Sequence, residues 1–265
     1  MKKFIKSLAA KCLPTSVYLG LEAAHNRSFI QKLERKHGYL DLNLKYEAQL
    51  GRTVQTGPFK GLKYTEFTSR RHITQRLLGC YESELHPVIN ECIQANYNEI
   101  YDIGCAEGYY AVGFALKANC NKVHAFDTDP WARKACRLMA NVNEVESKLA
   151  IHGFCSVDWM NDHLKDRSLV ISDCEGFEFV LFAKENCARY ANCDLLIELH
   201  DKAPSPEHEI VKNLSTTHTP TIIPSRPHDP TEYPQIAFLS EKEQVMCVDD
   251  RRESWQGWVF FKSKS

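Results

Sequence analysis

The stretch EIYDIGCAEGYYAVGFALKANCNKVHAFDTD, Glu99–Asp129, decides the fold. Ile100–Ile103 reads as a short apolar strand with Asp102 near its end. Gly104 and Gly108 frame a tight turn. Tyr109–Lys117 follows as a helix carrying Gly113, Lys122–Phe126 as a second strand, and Asp127 stands just beyond it. Strand, glycine turn, helix, strand and acidic tip together form a cradle for a nucleoside. Glycine lets the backbone approach a ligand where a Cβ would clash. A carboxylate about 20 residues further on accepts hydrogen bonds from ribose hydroxyls.

The glycine spacing selects among nucleoside cofactors. A dinucleotide fingerprint is G-x-G-x-x-G. Here the pattern is G-x-x-x-G-x-x-x-x-G, preceded by Asp102, and no Lys-Ser or Lys-Thr follows the turn. A phosphate-cradling P-loop is thereby excluded, and an NAD-dependent oxidoreductase is disfavoured. The D-x-G-x-x-x-G form resembles motif I of class I S-adenosylmethionine methyltransferases. That cofactor has no phosphates, so its site needs no phosphate-gripping helix end.

Two more blocks sharpen the resemblance. LVISDCEGFE, Leu169–Glu178, is a strand ending in Asp173, Glu175, Gly176 and Glu178. CDLLIELHD, Cys193–Asp201, is a strand ending in Glu198, His200 and Asp201. With the first block they resemble the FkbM-type methyltransferase family, whose fourth strand ends in D-x-E-G-x-E and whose fifth carries a glutamate. The resemblance covers Gly57–Asp201 and extends more weakly to Trp258–Phe261. It includes GPFKGLKY (Gly57–Tyr64) and LLGCYESEL (Leu77–Leu85). One departure is Asp127, where many relatives carry glutamate.

The resemblance implies a Rossmann-like, doubly wound, mostly parallel α/β sheet with S-adenosyl-L-methionine as cofactor. It also implies an acceptor hydroxyl on a sugar, a polysaccharide or glycolipid precursor, or a secondary metabolite. It places Tyr81 and Glu82 in a wall of the cofactor pocket. An N-directed or nucleic-acid-directed methyltransferase is the first rival; DCEG stands where its N/D-P-P-Y-type motif would follow the fourth strand. A non-catalytic S-adenosylmethionine-binding protein is the second.

Composition fits one α/β domain with a real core: 265 residues, 43% hydrophobic and 25% charged. A formal net charge of −1 gives no global drive toward nucleic acid. The eleven cysteines include no C-x-x-C pair, so a zinc ribbon is not expected. Their odd number, without a secretion signal, points to a reducing cytoplasm. Residues 1–37 carry Lys2, Lys3, Lys6, Lys11, Arg27, Lys32, Arg35 and Lys36 against Glu22 and Glu34. This basic arm reads either as a peripheral contact with the inner face of a membrane or an acidic substrate, or as a helical arm packed on the core or on a second subunit of a homo-oligomer.

The organisation is a basic helical extension over 1–56, then a methyltransferase domain over 57–265. Its lead-in, 57–98, holds a hairpin or loop at Gly57 and Gly61 and a helix over Ser83–Asn96. Its core, 99–201, alternates strand and helix, with helix Trp131–Val142 and third strand Leu149–Phe154. Residues 202–235, with seven prolines, read as a connecting loop or a lid over the acceptor, containing an edge strand at Thr221–Ile223.

In an open α/β sheet ligands bind beyond the carboxyl ends of the strands, which brings Asp102, Asp127, Asp173 and Glu198 to one crevice. Gly104, Cys105, Ala106 and Gly108 are expected to face the cofactor's amino-acid portion, with Asp102 and Asp173 nearby. Asp127 and Thr128 are assigned to the ribose, and Phe154, Cys155 and Ser156 to the adenine. Tyr109 or Tyr110 either covers the cofactor or packs. Asp173, Glu198 and His200 form the catalytic set, with His200 as the base near neutrality. Alternatively Asp173, Glu175, Glu198 and His200 hold a magnesium or manganese ion, or Glu175 and Glu178 cap the following helix. Arg251, Arg252 and Glu253, before Trp255 and Trp258, are a charged strip near the acceptor or a surface turn. The partner expected is a small-molecule or carbohydrate acceptor, and no nucleic acid.

Overall fold

A computed structural model describes residues 28–29, 32–69, 71–251 and 256–265. The arm positions Lys2, Lys3, Lys6, Lys11 and Arg27, and also Arg252, Glu253 and Trp255, lie outside the described residues. Among those described, seven strands make one sheet. They are β1 (Glu99–Ile103), β2 (Lys122–Phe126), β3 (Leu149–His152), β4 (Leu169–Ser172), β5 (Asp194–Leu199), β6 (His218–Pro224) and β7 (Gly257–Ser263). Their order is β3-β2-β1-β4-β5-β7-β6. The first five pair in parallel, and β7 runs antiparallel between β5 and β6. The chain winds outward from β1 to β3, then returns to lay β4 on the other side of β1. This reversal of direction creates a crevice at the carboxyl ends of β1 and β4.

The helices are α1 (Tyr39–Leu50), α2 (Ile73–Leu78), α3 (His86–Gln94), α4 (Tyr109–Lys117), α5 (Pro130–Val142), α6 (Val157–His163), α7 (Glu178–Leu181), α8 (Glu209–Leu214) and α9 (Glu241–Val248). No helix among the described residues is long and apolar enough to cross a membrane. The period-2 alternation of strands explains why both faces of the sheet are covered. Leu169 and Ile171 of β4, Leu196 of β5, and Trp258 and Phe260 of β7 join one apolar cluster. Val170, Leu195, Ile197, Val259 and Phe261 join the opposite one. Leu42 and Tyr46 of α1 pack in the first cluster with Val123 of β2, so this helix belongs to the same core as the sheet.

Several boundaries differ from the sequence reading. The third strand ends at His152, because the chain leaves the ladder at Gly153 to reach Ser156, whose side chain caps α6 by accepting from the Trp159 N–H at 3.0 Å. The expected helix from Ser83 starts as a 3-10 turn, Ser83–Leu85, before α3. The proline-rich stretch is not one loop. It contains α8 and the edge strand β6, which is longer than Thr221–Ile223 and tolerates Pro220 and Pro224 because its outer edge needs no ladder donors.

Gly57 and Gly61 do frame a hairpin-like loop, closed by an antiparallel bridge between Thr53 and Lys63. Its tip carries Phe59, fully buried against α4. Phe59 meets Tyr109 and Phe114 edge to face, each at 5.3 Å between ring centroids. Gly113 makes the notch for this ring: a Cβ there would lie 2.7 Å from it. Phe59→Ala should therefore lower the unfolding free energy by about 3–5 kcal/mol, measured by urea denaturation. A loss below about 1 kcal/mol would mean the loop does not hold α4.

Candidate active site

The turn after β1 is fixed by its neighbours. Gly104 and Cys105 both donate N–H to the Phe126 carbonyl at 2.9 Å. Gly104 has φ +91, and a Cβ on it would fall on the backbone carbonyl oxygen of Asp173. The expectation that this glycine admits a ligand is thus incomplete, because the exit of β4 already occupies the space. Ala106 sits at φ +46, a conformation that costs an L-residue about 1–2 kcal/mol. The Asp127 carboxylate holds it there: Oδ2 accepts the Ala106 N–H at 2.9 Å, and Oδ1 accepts that of Asp129 at 2.7 Å. Burial pushes Asp127 up to about 6, against the Ala106 hydrogen bond. Glu107 in the same turn is buried and ion-paired to Arg76 of α2, a contact the sequence reading passed over.

Two cavities open beside this turn. The first, about 700 Å³, lies over the ends of β1, β2 and β4 and is bordered by Gly104, Ala106, Asp127, Thr128, Cys155 and Asp173, with Phe154 and Phe177 on its flank. The Phe154 and Phe177 rings meet edge to face at 4.9 Å. No Lys or Arg borders it among the described residues. The second, about 420 Å³, is bordered by Tyr81, Glu198 and His200, together with Arg71, Arg76, Asp250 and Arg251. Ala106, Asp127, Asp173 and Glu175 border both.

Other sequence-picked residues lie elsewhere. Asp102, Cys105, Gly108 and Ser156 border neither cavity. Asp102 is 2% exposed beside α4, with one oxygen lacking a hydrogen-bond partner, and burial pushes it up to about 8. Cys105 is buried and Ser156 is occupied as a cap. Glu82 is not a wall: it is fully buried and accepts the Tyr110 hydroxyl. Tyr109 and Tyr110 pack on Phe59 rather than cover a ligand. Arg251 borders the second cavity and pairs with Glu34, which ties the described end of the basic arm to the body. Phe177, absent from the sequence reading, had only its place after D-C-E-G to announce it.

The acidic ends of β4 and β5 converge. His200 Nε2 lies 3.2 Å from Asp173 Oδ1, 3.5 Å from Glu198 Oε2 and 3.9 Å from Glu175 Oε2. His200 Nδ1 lies 3.1 Å from Glu178 Oε1, without hydrogen-bond alignment. Glu178 also accepts the N–H groups of Cys174 and Gly176, both at 2.7 Å, so it clamps the turn after β4. Asp173, Glu175 and His200 each bring one donor atom within 4.8 Å of the others, a spacing a cation could use.

This arrangement changes the role expected of His200. Burial alone would lower its pKa, but the close carboxylates of Asp173 and Glu178 and the charge of Glu198 outweigh that and push it up to about 11. Burial, then the Asp173 charge, drive Glu198 up to about 10, so Glu198 keeps its proton at neutral pH. His200 is an imidazolium at neutral pH rather than a free base. Its raised value sets the sign of the linkage: its stabilisation is fully present below about 6.5, the unfolded value, and is lost as pH rises through about 11. A ¹⁵N-histidine NMR spectrum at pH 8 should show both His200 nitrogens protonated, while His124 and His152, lowered by burial, are neutral. A neutral His200 at pH 8 would refute the ion-pair assignment.

No protein-family model matches this sequence, and no curated protein matches it. Solved structures that align with it include three methyltransferases. The geranyl diphosphate C-methyltransferase from Streptomyces coelicolor A3(2) aligns at 12% identity and TM-score 0.46, covering 83% of this chain and 91% of that one. The O-methyltransferase TomG from Streptomyces achromogenes aligns at 11% and 0.45, covering 77% and 92%. The M. jannaschii tRNA m1G37 methyltransferase aligns at 12% and 0.41, covering 69% and 50%.

Proposed function

We propose that this chain is an S-adenosylmethionine-dependent methyltransferase of the FkbM type. Its acceptor would be a hydroxyl on a sugar, a glycolipid or polysaccharide precursor, or a secondary metabolite. The observation that carries the reading is the charge of the first cavity. It presents Asp127, Asp173 and Glu175 and no Lys or Arg among the described residues. A dinucleotide would bring two phosphates against these carboxylates, whereas a nucleoside bearing a sulfonium and an ammonium meets complementary charge. About 700 Å³ is also the size of a small-molecule site.

Bound there, S-adenosylmethionine supplies a methyl group on a positively charged sulfur. Asp127 would accept the ribose hydroxyls, and Phe154 and Phe177 would enclose the base. Asp173, 35% exposed and bordering both cavities, is placed to take the proton of the acceptor hydroxyl. His200, with Nε2 3.2 Å from Asp173 Oδ1, orients that carboxylate and holds positive charge beside it. We read the rim as cation-free, because the His200 imidazolium already supplies the counter-charge. A magnesium or manganese titration that raised turnover in the wild type but not in Glu175→Gln would reverse that reading.

Calorimetry should find S-adenosylhomocysteine bound and NAD not bound; tighter binding of NAD would sink the proposal. Asp127→Ala should weaken S-adenosylhomocysteine at least about tenfold, since a hydrogen bond to a charged group contributes roughly 1.5–3 kcal/mol. Wild-type affinity should decline below about pH 6, where Asp127 takes up a proton.

Asp173→Asn separates binding from chemistry. It should hold S-adenosylhomocysteine within about threefold and cut methyl transfer to a carbohydrate acceptor by about 10²-fold or more. Full turnover by this variant would move the acceptor site away from Asp173. Binding without turnover on any acceptor in the wild type would favour the non-catalytic alternative.

A further inference from the structure

A second cluster of ligating side chains lies apart from the rim. Glu84 comes from the 3-10 turn Ser83–Leu85, His228 from the segment after β6, and Asp250 from just beyond α9. One donor atom from each lies within 4.8 Å of the other two. His228 Nε2 is 2.7 Å from Asp250 Oδ2, and Asp250 is 8% exposed. Both oxygens of Glu84 and Oδ1 of Asp250 are sealed from solvent and accept no hydrogen bond. Buried carboxylate oxygens without a partner are costly. The imidazole reaches only the other oxygen of Asp250, so three carboxylate oxygens of the cluster are left without a donor.

The surroundings are those of metal ligands. A ligating histidine donates its second ring N–H to a neighbour, and ligating carboxylates are themselves hydrogen-bonded. His228 Nδ1 stands 3.0 Å from Ser83 Oγ, which also accepts from Arg226 Nη2 at 3.3 Å. The Glu82 N–H donates to Asp250 Oδ2 at 3.1 Å. Thus Nδ1–H can donate to Ser83, freeing Nε2 for an ion. Asp250 Oδ1 and a Glu84 oxygen are free to join it. The rim group Asp173–Glu175–His200 differs, since Glu175 there is 88% exposed and solvated.

The geometry points to a divalent transition-metal site formed by Glu84, His228 and Asp250. One imidazole and two carboxylates suit zinc or manganese better than calcium, which prefers oxygen alone. Ligand atoms about 2.0–2.2 Å from one ion sit roughly 3–3.5 Å apart, so His228 and Asp250 need to part only slightly. The ion would fasten the segment after β6 to the Ser83–Leu85 turn and to the end of α9. That fixes the wall of the second cavity, which Asp250 borders.

The full chain, stripped with a chelator and dialysed, should bind Zn²⁺ or Mn²⁺ with a stoichiometry of one by calorimetry. Glu84→Gln and His228→Asn should each weaken this by at least about tenfold, while Glu175→Gln leaves it unchanged. Thermal melting without metal guards against misfolding: Glu84→Gln replaces carboxylate oxygens that accept no hydrogen bond and should melt no lower than the wild type. Added ion should raise the melting temperature of the wild type and not that of Glu84→Gln. Absence of saturable binding, or affinity unchanged in Glu84→Gln and His228→Asn, overturns the site. Loss on Glu175→Gln alone would assign the ion to the rim instead. None of these readouts depends on S-adenosylmethionine, so the site stands or falls separately from the methyltransferase reading.

Discussion

The exits of β1 and β4 lie so close that only a glycine fits at position 104. The Asp173 carbonyl fills the space a side chain would take, and the Asp173 N–H returns to the Ile103 carbonyl at 2.9 Å. The two strands thus stay joined one residue beyond their last ladder pair, Ile103 and Ser172. Everything at the crevice depends on that junction. It fixes the turn 104–108, and the turn in turn fixes Asp127 through the Ala106 N–H. The left-handed backbone at Ala106 costs about 1–2 kcal/mol. A hydrogen bond to a charged acceptor contributes about 1.5–3 kcal/mol, enough to offset it. Asp127 is therefore a structural carboxylate, and it borders both cavities.

The second constraint is electrostatic. The ends of β4 and β5 deliver Asp173, Glu175, Glu178 and Glu198 to one rim, and mutual repulsion would disperse them without a cation. His200 is that cation, with a carboxylate at each ring nitrogen. Within the rim, burial and then the neighbouring Asp173 charge hold Glu198 in its protonated form. Asp173 and Glu175, which border both cavities, are the rim carboxylates that reach solvent.

The acid–imidazole cluster at Glu84, His228 and Asp250 shows how burial alters similar chemistry. At the rim, solvent screens Glu175, and the imidazolium balances what remains. At Glu84 neither solvent nor a hydrogen bond reaches the carboxylate oxygens. The cluster also joins segments far apart in the chain, so it bears on how the stretch after β6 is held against the body.

Much of the fold was legible because strands and helices here carry strong local signals. Helix Tyr109–Lys117 and strand Lys122–Phe126 were bounded by glycines and by an acidic tip, and both stand where the pattern put them. The alternation of LVIS and DLLIEL, buried throughout, matches strands covered on both faces. The convergence of Asp173, Glu198 and His200 was also legible, because parallel strands align their carboxyl ends. Helix α8 within the proline-rich stretch was not, since six residues make too weak a periodic signal beside seven prolines. The sequence alone determined which residue types end which strands. Only the tertiary structure decided their states: that Gly104 serves Asp173, that Glu82 is buried, that His200 is charged, and that Glu84 meets His228 and Asp250. Those outcomes depend on distance and burial between segments remote in the chain, and Coulomb and desolvation energies are set by that separation rather than by sequence order.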